Sequence, residues 1–394
     1  MPEPERMKIA FVYDVIYPYV KGGVEKRVWE LSVRLAARGH DVHIFGMKYW
    51  EGDDILIRNG VILHGVCPAR PLYANGRRTV GEAIMFSLRL IPHMRKYRFD
   101  VIDCQQFPYF SCISTKAVSL LVKTPLVITW HEVWGDYWYM YLGRGAGAMG
   151  KFIERRVARL TPHGIAVSKT TKERLIPVGG PETIAIIPNG VDQKRIAAIS
   201  PAADRSDLIF AGRLIREKHA DLLVRAFAIL SEEHPRLTLS IIGDGPEREL
   251  LIGLIREKGL RDRILIRGFE AEHDDLIARI KASKVFVLPS TREGFGITAL
   301  EALACGLPVV TVDHPANALR EIISEKNGFL CALSAEDLAD KIREALAHHE
   351  EMRDACIATA AAFDWDCIAA ESEEYYRSVI DGGKKSIDQG PANF

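Results

Sequence analysis

The stretch Val285–Thr311, VFVLPSTREGFGITALEALACGLPVVT, contains the pattern that decides the fold. It begins with a short apolar run of β-forming residues and continues through a turn-rich segment, Pro289–Gly296. A helical composition follows over Ile297–Cys305 until Gly306 and Pro308 end it, and a second apolar run completes the stretch. A strand, a glycine-bearing loop, a helix and a strand in succession form the unit from which parallel α/β sheets are built.

Two glutamates lie inside this unit, Glu293 in the loop and Glu301 about one turn into the helix. The backbone N–H groups of Phe295, Gly296 and Ile297 are expected at the helix start, where unpaired amides and the helix dipole bind anions. Carboxylates repel a phosphate but accept hydrogen bonds from sugar hydroxyls. A ligand with sugars on both sides of a diphosphate suits this arrangement, and a nucleotide-sugar is such a ligand.

The segment Glu293–Glu301, EGFGITALE, resembles the E-x7-E signature of the GT-B glycosyltransferases, most closely that of the retaining family 4. Two glutamates at this spacing are common by chance, but EGFG, the second Glu and then A-x-G-x-P-V-V are much more specific. The resemblance implies an α/β fold with two doubly wound Rossmann-like domains facing a cleft, and a C-terminal helix that crosses back to the N-terminal domain. It covers nearly the whole chain. One departure is Asp313–Glu321, where relatives usually have a Gly-Gly turn before Pro-Glu.

The same resemblance implies roles for individual residues. Glu293 would orient the transferred sugar, and Glu301 would bind the ribose diol. Gly212-Arg213 and Lys218 match the family's G-R-L-x-x-x-K phosphate clamp, in which arginine offers a bidentate fork and lysine a point charge. Without the family pattern, an arginine and a lysine at this spacing after a strand would be interpreted as solvent-exposed surface charges. The candidate donor contacts are Gly22, Gly23, Gly212, Arg213, Lys218, Gly243, Phe269, Glu293, Gly294, Phe295, Gly296, Ile297 and Glu301.

Gly22-Gly23 lies between the first predicted strand and helix, where glycines let a phosphate or sugar approach the backbone. The spacing is not G-x-G-x-x-G, so the dinucleotide fingerprint is absent. Family 4 members commonly have GG-x-E here, facing the donor phosphates, and Glu25 completes that match. The alternative is that these glycines serve only a tight turn.

His131 follows the predicted strand Pro125–Trp130, and the carboxyl end of a parallel strand is where open α/β sheets bind ligands. Family members often have His-Asp or His-Glu at this point, close to the transferred sugar. The aromatics that follow could stack on sugars or lipid chains, or form a packed patch around a structural histidine: Trp134, Tyr137, Trp138, Tyr139 and Tyr141. Gly143–Gly150 is predicted to be a mobile loop.

Composition agrees with a soluble two-domain protein. A chain of 394 residues can bury two cores, and Lys+Arg and Asp+Glu both number 52, so net charge gives no reason to expect a nucleic-acid partner. The seven cysteines lack metal-ligand spacing, and MPEPERMKIAF lacks a signal-peptide pattern. We therefore expect a cytoplasmic protein without a cofactor or a bound metal.

The domain prediction comes from the resemblance. Residues 1–192 would form the acceptor-side domain, completed by the helix 364–381, and residues 205–363 the nucleotide-sugar-binding domain. Pro188–Asp192, PNGVD, matches the turn that ends the first domain, and 193–206 would be a linker.

Phe363-Asp364-Trp365 resembles the family's return point, where the last helix goes back to the first domain. Asp364-Trp-Asp366 also matches the D-x-D of metal-dependent transferases. Because aspartate commonly caps helices, we expect a helix cap here and not a metal site.

Together with these features, the resemblance implies a retaining glycosyltransferase that moves a hexose-type sugar from a UDP- or GDP-sugar to a glycan or lipid-linked acceptor, without metal and by front-face attack. The candidate catalytic residues are His131, Arg213, Lys218 and Glu293. An epimerase or phosphorylase of the same fold is an alternative, and an inactive sugar-nucleotide-binding protein is another that the complete residue set disfavours.

Residues 82–98 combine apolar and basic positions, so they predict an amphipathic helix that contacts anionic lipid at the inner face of the cell membrane. The alternative is a core-packed helix with a solvated basic face.

Overall fold

The computed structural model describes residues 5–74 and 77–382, which form two compact units. The first unit runs to Asn189 and resumes at Trp365, and the second is Gly190–Asp364. Each contains a doubly wound α/β sheet, so the predicted fold class is confirmed.

The strands of the first unit are β1 (Lys8–Val12), β2 (Asp41–Lys48), β3 (Ile55–Arg58), β4 (Val61–Pro68), β5 (Tyr73–Ala74), β6 (Arg77–Arg78), β7 (Val101–Gln105), β8 (Leu126–Trp130), β9 (His163–Ala166) and β10 (Thr183–Ile186). Those of the second are β11 (Leu208–Ala211), β12 (Leu239–Ile242), β13 (Ile264–Arg267), β14 (Val285–Leu288), β15 (Val309–Val312) and β16 (Gly328–Cys331).

The helices, in chain order, are α1 (Gly23–Ala37), α2 (Val80–Met94), α3 (Tyr109–Val122), α4 (Tyr137–Val157), α5 (Lys169–Leu175), α6 (Gln193–Ala198), α7 (Ala220–Glu233), α8 (Arg248–Glu257), α9 (His273–Lys281), α10 (Ile297–Ala304), α11 (Ala335–Ala361) and α12 (Trp365–Ile380).

The large sheet of the first unit has the strand order β10-β9-β8-β7-β1-β2-β4-β3, and the second unit has β13-β12-β11-β14-β15-β16. Neighbouring strands in both sheets are parallel, except that β3 and β4 are antiparallel. Each chain path starts in the middle, at β1 or β11, and later continues on the other side of that strand. Ligands of such sheets bind at the carboxyl ends of the strands beside this reversal.

The central strands are covered on both faces, which explains their continuous apolar sequence. Every residue of β8 and of β14 is buried. The C-terminal α12 packs on α1 and β7, and its Trp365, Ile368 and Tyr376 lie fully buried in the core of the first unit. The last helix therefore completes the N-terminal unit, as the resemblance implied.

Two boundaries differ from the sequence prediction. Residues 190–192 belong with the second unit, because Val191 N donates to Phe363 O at 2.9 Å. The predicted linker 193–206 contains α6, whose N-cap Asp192 accepts a hydrogen bond from Arg195 N at 2.9 Å.

Asp366 of the D-x-D pattern pairs with Arg34 on α1, with Nε and Oδ1 2.8 Å apart.

The prediction of a mobile loop over Gly143–Gly150 was wrong, because these residues lie within α4. The helix is interrupted at Gly143, which has φ 78° and ψ 178°. After this break the helix lies so close to Trp138 that a Cβ on Gly150 would stand 2.5 Å from Trp138 Cδ2. The glycines therefore permit close packing of an ordered helix.

A buried carboxyl pair links the end of β1 to α2. Asp14 and Glu82 are both buried, and Arg78 makes a hydrogen bond to Asp14 and lies 3.6 Å from a Glu82 oxygen. Burial, together with the negative charge of Asp14, raises the pKa of Glu82 from 4.5 to about 8. One proton shared between the two carboxyl groups relieves their repulsion.

We expect this pair to make the free energy of unfolding fall as pH rises. The folded protein keeps the Glu82 proton up to about pH 8, whereas the unfolded chain loses it near pH 4.5. Between these values the folded state binds more protons, so the free energy of unfolding decreases with rising pH. Glu82→Gln should weaken that decrease in urea unfolding measured between about pH 5 and pH 9. The exposed Glu257→Gln serves as the control, and an unchanged slope in Glu82→Gln would contradict the shared proton.

Candidate active site

The loop from β14 to α10 is stabilised by a second loop of the same unit. Glu293 N donates to Ala316 O at 3.0 Å, and Ala318 N donates to Glu293 O at 2.9 Å. Asn317, between them, is fully buried, and its side chain donates to Thr311 Oγ1 at 2.9 Å. The segment that lacks the family's Gly-Gly turn therefore still holds Glu293 through its backbone.

Gly296 is the N-cap of α10 and has φ +88°, in the left-handed region. A Cβ at this position would lie 2.6 Å from Leu319 Cδ2, so glycine is required for both conformation and space. The first-turn amides of a helix have no intrahelical partner, which makes the start of α10 suited to an anion. Gly294, Phe295 and Ile297 flank this turn.

Lys218 and Glu293 are in direct contact. Lys218 Nζ pairs with Glu293 Oε1, and the two side chains are 18% and 9% exposed. The turn that carries Lys218 is joined to the β14 loop, because Thr291 N donates to Glu217 O at 3.0 Å and His219 Nε2 lies 2.9 Å from Thr291 Oγ1. The sequence analysis predicted that Lys218 and Glu293 contact the same sugar donor, and the structure brings their side chains together.

The other predicted donor residues of this unit follow neighbouring strands. Gly212 follows β11 and Gly243 follows β12, and these glycines approach so closely that a Cβ on Gly243 would clash with Gly212 O. Leu214 N donates to Asp244 O at 2.9 Å, which orders the loop that carries the exposed Arg213. Phe269 follows β13 and is 62% exposed.

Glu301 is buried in α10 and has a partner that the sequence did not predict. His273 Nε2, at the start of α9, lies 3.0 Å from Glu301 Oε1. The carboxylate proposed for the ribose is therefore oriented by a histidine.

In the first unit, Gly22 and Gly23 form the start of α1, and Lys26 N donates to Gly22 O at 3.1 Å. One turn further, Arg27 is fully buried and donates through Nη1 to Pro188 O and to Asn189 Oδ1, the latter at 3.1 Å. Burial lowers the pKa of Arg27. Arg27 therefore ties α1 to the chain segment at the end of this unit.

His131 lies directly after β8, as predicted. Its Nε2 lies 2.8 Å from Gln105 Oε1, and its backbone N donates to Gln106 Oε1 at 3.0 Å. Burial lowers the pKa of His131 to about 3, and the positive charge of Arg27 acts in the same direction. The imidazole is therefore neutral at pH 7.

A buried carboxylate holds the loop after His131. Glu154 on α4 accepts hydrogen bonds from Trp134 N and Gly135 N, both at 2.8 Å, and from Tyr109 Oη at 2.9 Å. The aromatic residues pack on one another: the rings of Trp134 and Trp138 are 4.5 Å apart. Trp134 and Trp138 therefore pack together, whereas Tyr139 is 38% exposed.

Sequence reasoning missed Arg27, Gln105, Glu154 and His273. Gln105 had a usable signal, because it ends a strand next to the one that precedes His131. The other three contact residues far away in the chain, so no local pattern indicated their roles.

Two family models match the chain. Residues 21–195 match "Glycosyltransferase Family 4", and residues 192–363 match "Glycosyl transferases group 1". The chain belongs to glycosyltransferase family 4. It is thus a GT-B glycosyltransferase that uses a nucleotide-sugar donor.

Among relatives, a component of the phosphatidylinositol N-acetylglucosaminyltransferase of Arabidopsis thaliana is 24% identical over 98% of this chain and 85% of its own. Sucrose-phosphate synthase of Thermosynechococcus elongatus has the same fold, with a TM-score of 0.80 and 24% identity over 95% of this chain and all of that one. Anabaena HepE, solved in complex with UDP-glucose, gives a TM-score of 0.72 and 19% identity over 95% of this chain and 100% of that one.

Within residues 5–74 and 77–382, no group of three or more His, Cys, Asp and Glu side chains is arranged to hold a metal ion. In the same ranges, no helix is both long enough and apolar enough to span a bilayer.

Replacing Gly296, the N-cap of α10, should destabilise the folded protein. Gly296→Ala should lower the free energy of unfolding by about 1–3 kcal/mol and weaken donor binding, because it combines a positive φ with a clash against Leu319. Gly253→Ala on α8, where a Cβ meets nothing within 4 Å, is the matched control and should be neutral or stabilising. Equal effects of the two substitutions in urea unfolding would contradict this assignment.

Proposed function

We propose that this glycosyltransferase is a retaining enzyme that transfers a hexose-type sugar from a UDP- or GDP-sugar to a glycan or lipid-linked acceptor. The donor binds to the second unit and the acceptor to the first. The observation that supports this most is the Lys218–Glu293 pair beside the glycine-capped start of α10. It combines a phosphate-binding cation, a sugar-binding carboxylate and helix amides in one loop system.

The chemistry follows from the charges that develop. Cleavage of the anomeric bond puts negative charge on the leaving diphosphate, which Arg213, Lys218 and the α10 amides would stabilise. Positive charge grows on the sugar, where Glu293 would act. The acceptor oxygen would form its bond to the anomeric carbon on the face from which the diphosphate leaves. The acceptor proton would pass to the departing phosphate oxygen.

Relatives support the substrate classes. HepE binds UDP-glucose, and the Arabidopsis relative is named for N-acetylglucosaminyl transfer to phosphatidylinositol. A UDP-sugar and a lipid-borne acceptor are therefore the first substrates to test. Product that forms without any acceptor would indicate an epimerase instead.

Arg213→Ala and Lys218→Ala should each lower kcat by on the order of 10²-fold, since each removes charge stabilisation that grows in the transition state. The measurement is turnover with the donor that gives the largest thermal stabilisation among UDP-, GDP- and ADP-sugars. Arg225→Ala, an exposed position on α7, is the control. Wild-type kcat in both test variants would show that the phosphate clamp is misassigned.

We also propose that transfer requires no divalent ion, because the two cations and the α10 terminus would do its electrostatic work. Initial rates should be unchanged after dialysis against EDTA. Complete loss of activity that Mg²⁺ or Mn²⁺ restores would refute this and return attention to Asp364 and Asp366.

We further propose that α2 and α3 dock on anionic membranes. One face of α2 is in the core, whereas Val80, Ile84 and Leu88 recur every fourth residue and are 60%, 40% and 66% exposed. The neighbouring α3 exposes Leu120 and Leu121 to 66% and 65%. Exposed basic residues follow this apolar surface at Arg89, Arg95, Lys96 and Arg98. Apolar side chains with adjacent cations suit the surface of an anionic bilayer.

In sedimentation with liposomes, binding should rise with anionic lipid and fall with salt. Replacing Arg89, Arg95 and Lys96 by Ser should reduce it, and so should Leu88→Ser alone. A charge-matched control replaces the exposed Arg225, Arg256 and Lys258 of the second unit by Ser. Absence of binding to anionic liposomes at low salt would favour a soluble acceptor.

A further inference from the structure

The imidazole of the partly buried His131 ends a chain of hydrogen bonds that begins on α12. Tyr376 Oη donates to Asp103 Oδ2 at 2.5 Å, and Thr129 Oγ1 lies 2.7 and 2.9 Å from the two oxygens of the same carboxylate. Gln105 Nε2 donates to Asp103 Oδ1 at 3.1 Å. Gln105 Oε1 then lies 2.8 Å from His131 Nε2. Asp103, Gln105 and Thr129 are all buried.

The direction of these bonds determines where the histidine proton is. Tyr376 and Thr129 donate their hydroxyl protons to Asp103, and an ionised carboxylate only accepts. Gln105 therefore has to direct its nitrogen at Asp103 and its oxygen at His131. An amide oxygen only accepts, so His131 Nε2 must donate. In a neutral imidazole with a proton on Nε2, Nδ1 is an acceptor.

The surroundings favour the neutral ring. Burial is the largest cause of the low pKa of His131, and the positive charge of Arg27 on α1 adds to it. Burial raises the pKa of Asp103 above its usual value, and the hydrogen bonds from Tyr376 and Thr129 and the charge of Arg27 offset part of that rise. Arg27 thus disfavours a positive His131 and favours a negative Asp103.

We propose that Asp103 and Gln105 are positioning residues that hold His131 in its Nε2–H form, so that Nδ1 accepts a hydrogen bond from a hydroxyl group of the sugar substrate. The hydrogen bond to a sugar hydroxyl rests on the proposed function, whereas the position of the proton on His131 does not. A neutral acceptor at this position selects a hydroxyl, which can donate. It disfavours a carboxylate or phosphate, which can only accept.

The tautomer is measurable by ¹⁵N NMR of the imidazole in the free enzyme, with the His131 signal assigned by its loss in His131→Asn. In the wild type at pH 7, Nε2 should carry the proton and Nδ1 should not. In Asp103→Asn the new side-chain amide can donate a hydrogen bond to Gln105 Oε1. The Gln105 amide would then be rotated, with Nε2 facing His131. The proton should move to Nδ1, and kcat/KM should fall by roughly 10-fold or more.

Tyr375→Phe is the matched control, because its hydroxyl also makes a buried hydrogen bond from α12, to Gly164 O at 3.0 Å, but outside this chain of bonds. It should lose stability and keep the Nε2–H signal. A wild-type Nδ1–H form, or a charged ring at pH 7, overturns the inference even if Asp103→Asn fails to fold. An Nε2–H signal in an enzyme that transfers no sugar would refute the proposed function and leave the positioning role intact.

Discussion

Parallel pairing brings the carboxyl ends of all strands in a sheet to one edge, and the candidate site depends on that constraint. In the second unit, the loops after β11 and β14 carry Arg213 and Glu293, on two strands that pair with each other. In the first unit, Gln105 ends β7 and His131 follows β8, its neighbour. Residues distant in sequence become neighbours because right-handed crossovers return each strand in the same direction.

Charge at these edges is balanced inside the protein. Lys218 contacts Glu293, His273 contacts Glu301, and Glu154 accepts two backbone hydrogen bonds. A buried charge without such partners would cost several kcal/mol. Since an ammonium has three N–H donors, Lys218 can keep its carboxylate partner and still bind a phosphate oxygen. The pairing therefore orients the side chains that we propose for donor binding.

The predictability of each residue depends on whether its role is local. Gly296 was predictable because it stands in a turn-rich, glycine-bearing segment between an apolar strand and a helix. Glu293 and His131 were predictable because their motifs resemble those of a known family. His273 and Arg27 were not, since their partners are Glu301 and the segment at Pro188, far along the chain. Exposure was the least predictable property: the aromatics after His131 pack together, although composition alone allowed a sugar platform.

The sequence by itself determined the alternation of strands and helices, the two-unit organisation and the chemistry available at the strand ends. The alternation of elements and the residues at the strand ends follow from local properties such as apolar runs, glycine turns and caps, whereas the two-unit organisation was inferred from length and the family resemblance. Only the tertiary structure decided which polar groups meet. The tautomer of His131 illustrates the reason: it depends on Gln105, which is oriented by Asp103, which in turn accepts from Tyr376 on the last helix. Hydrogen-bond direction is set by atoms within about 3 Å, and folding alone brings those atoms together.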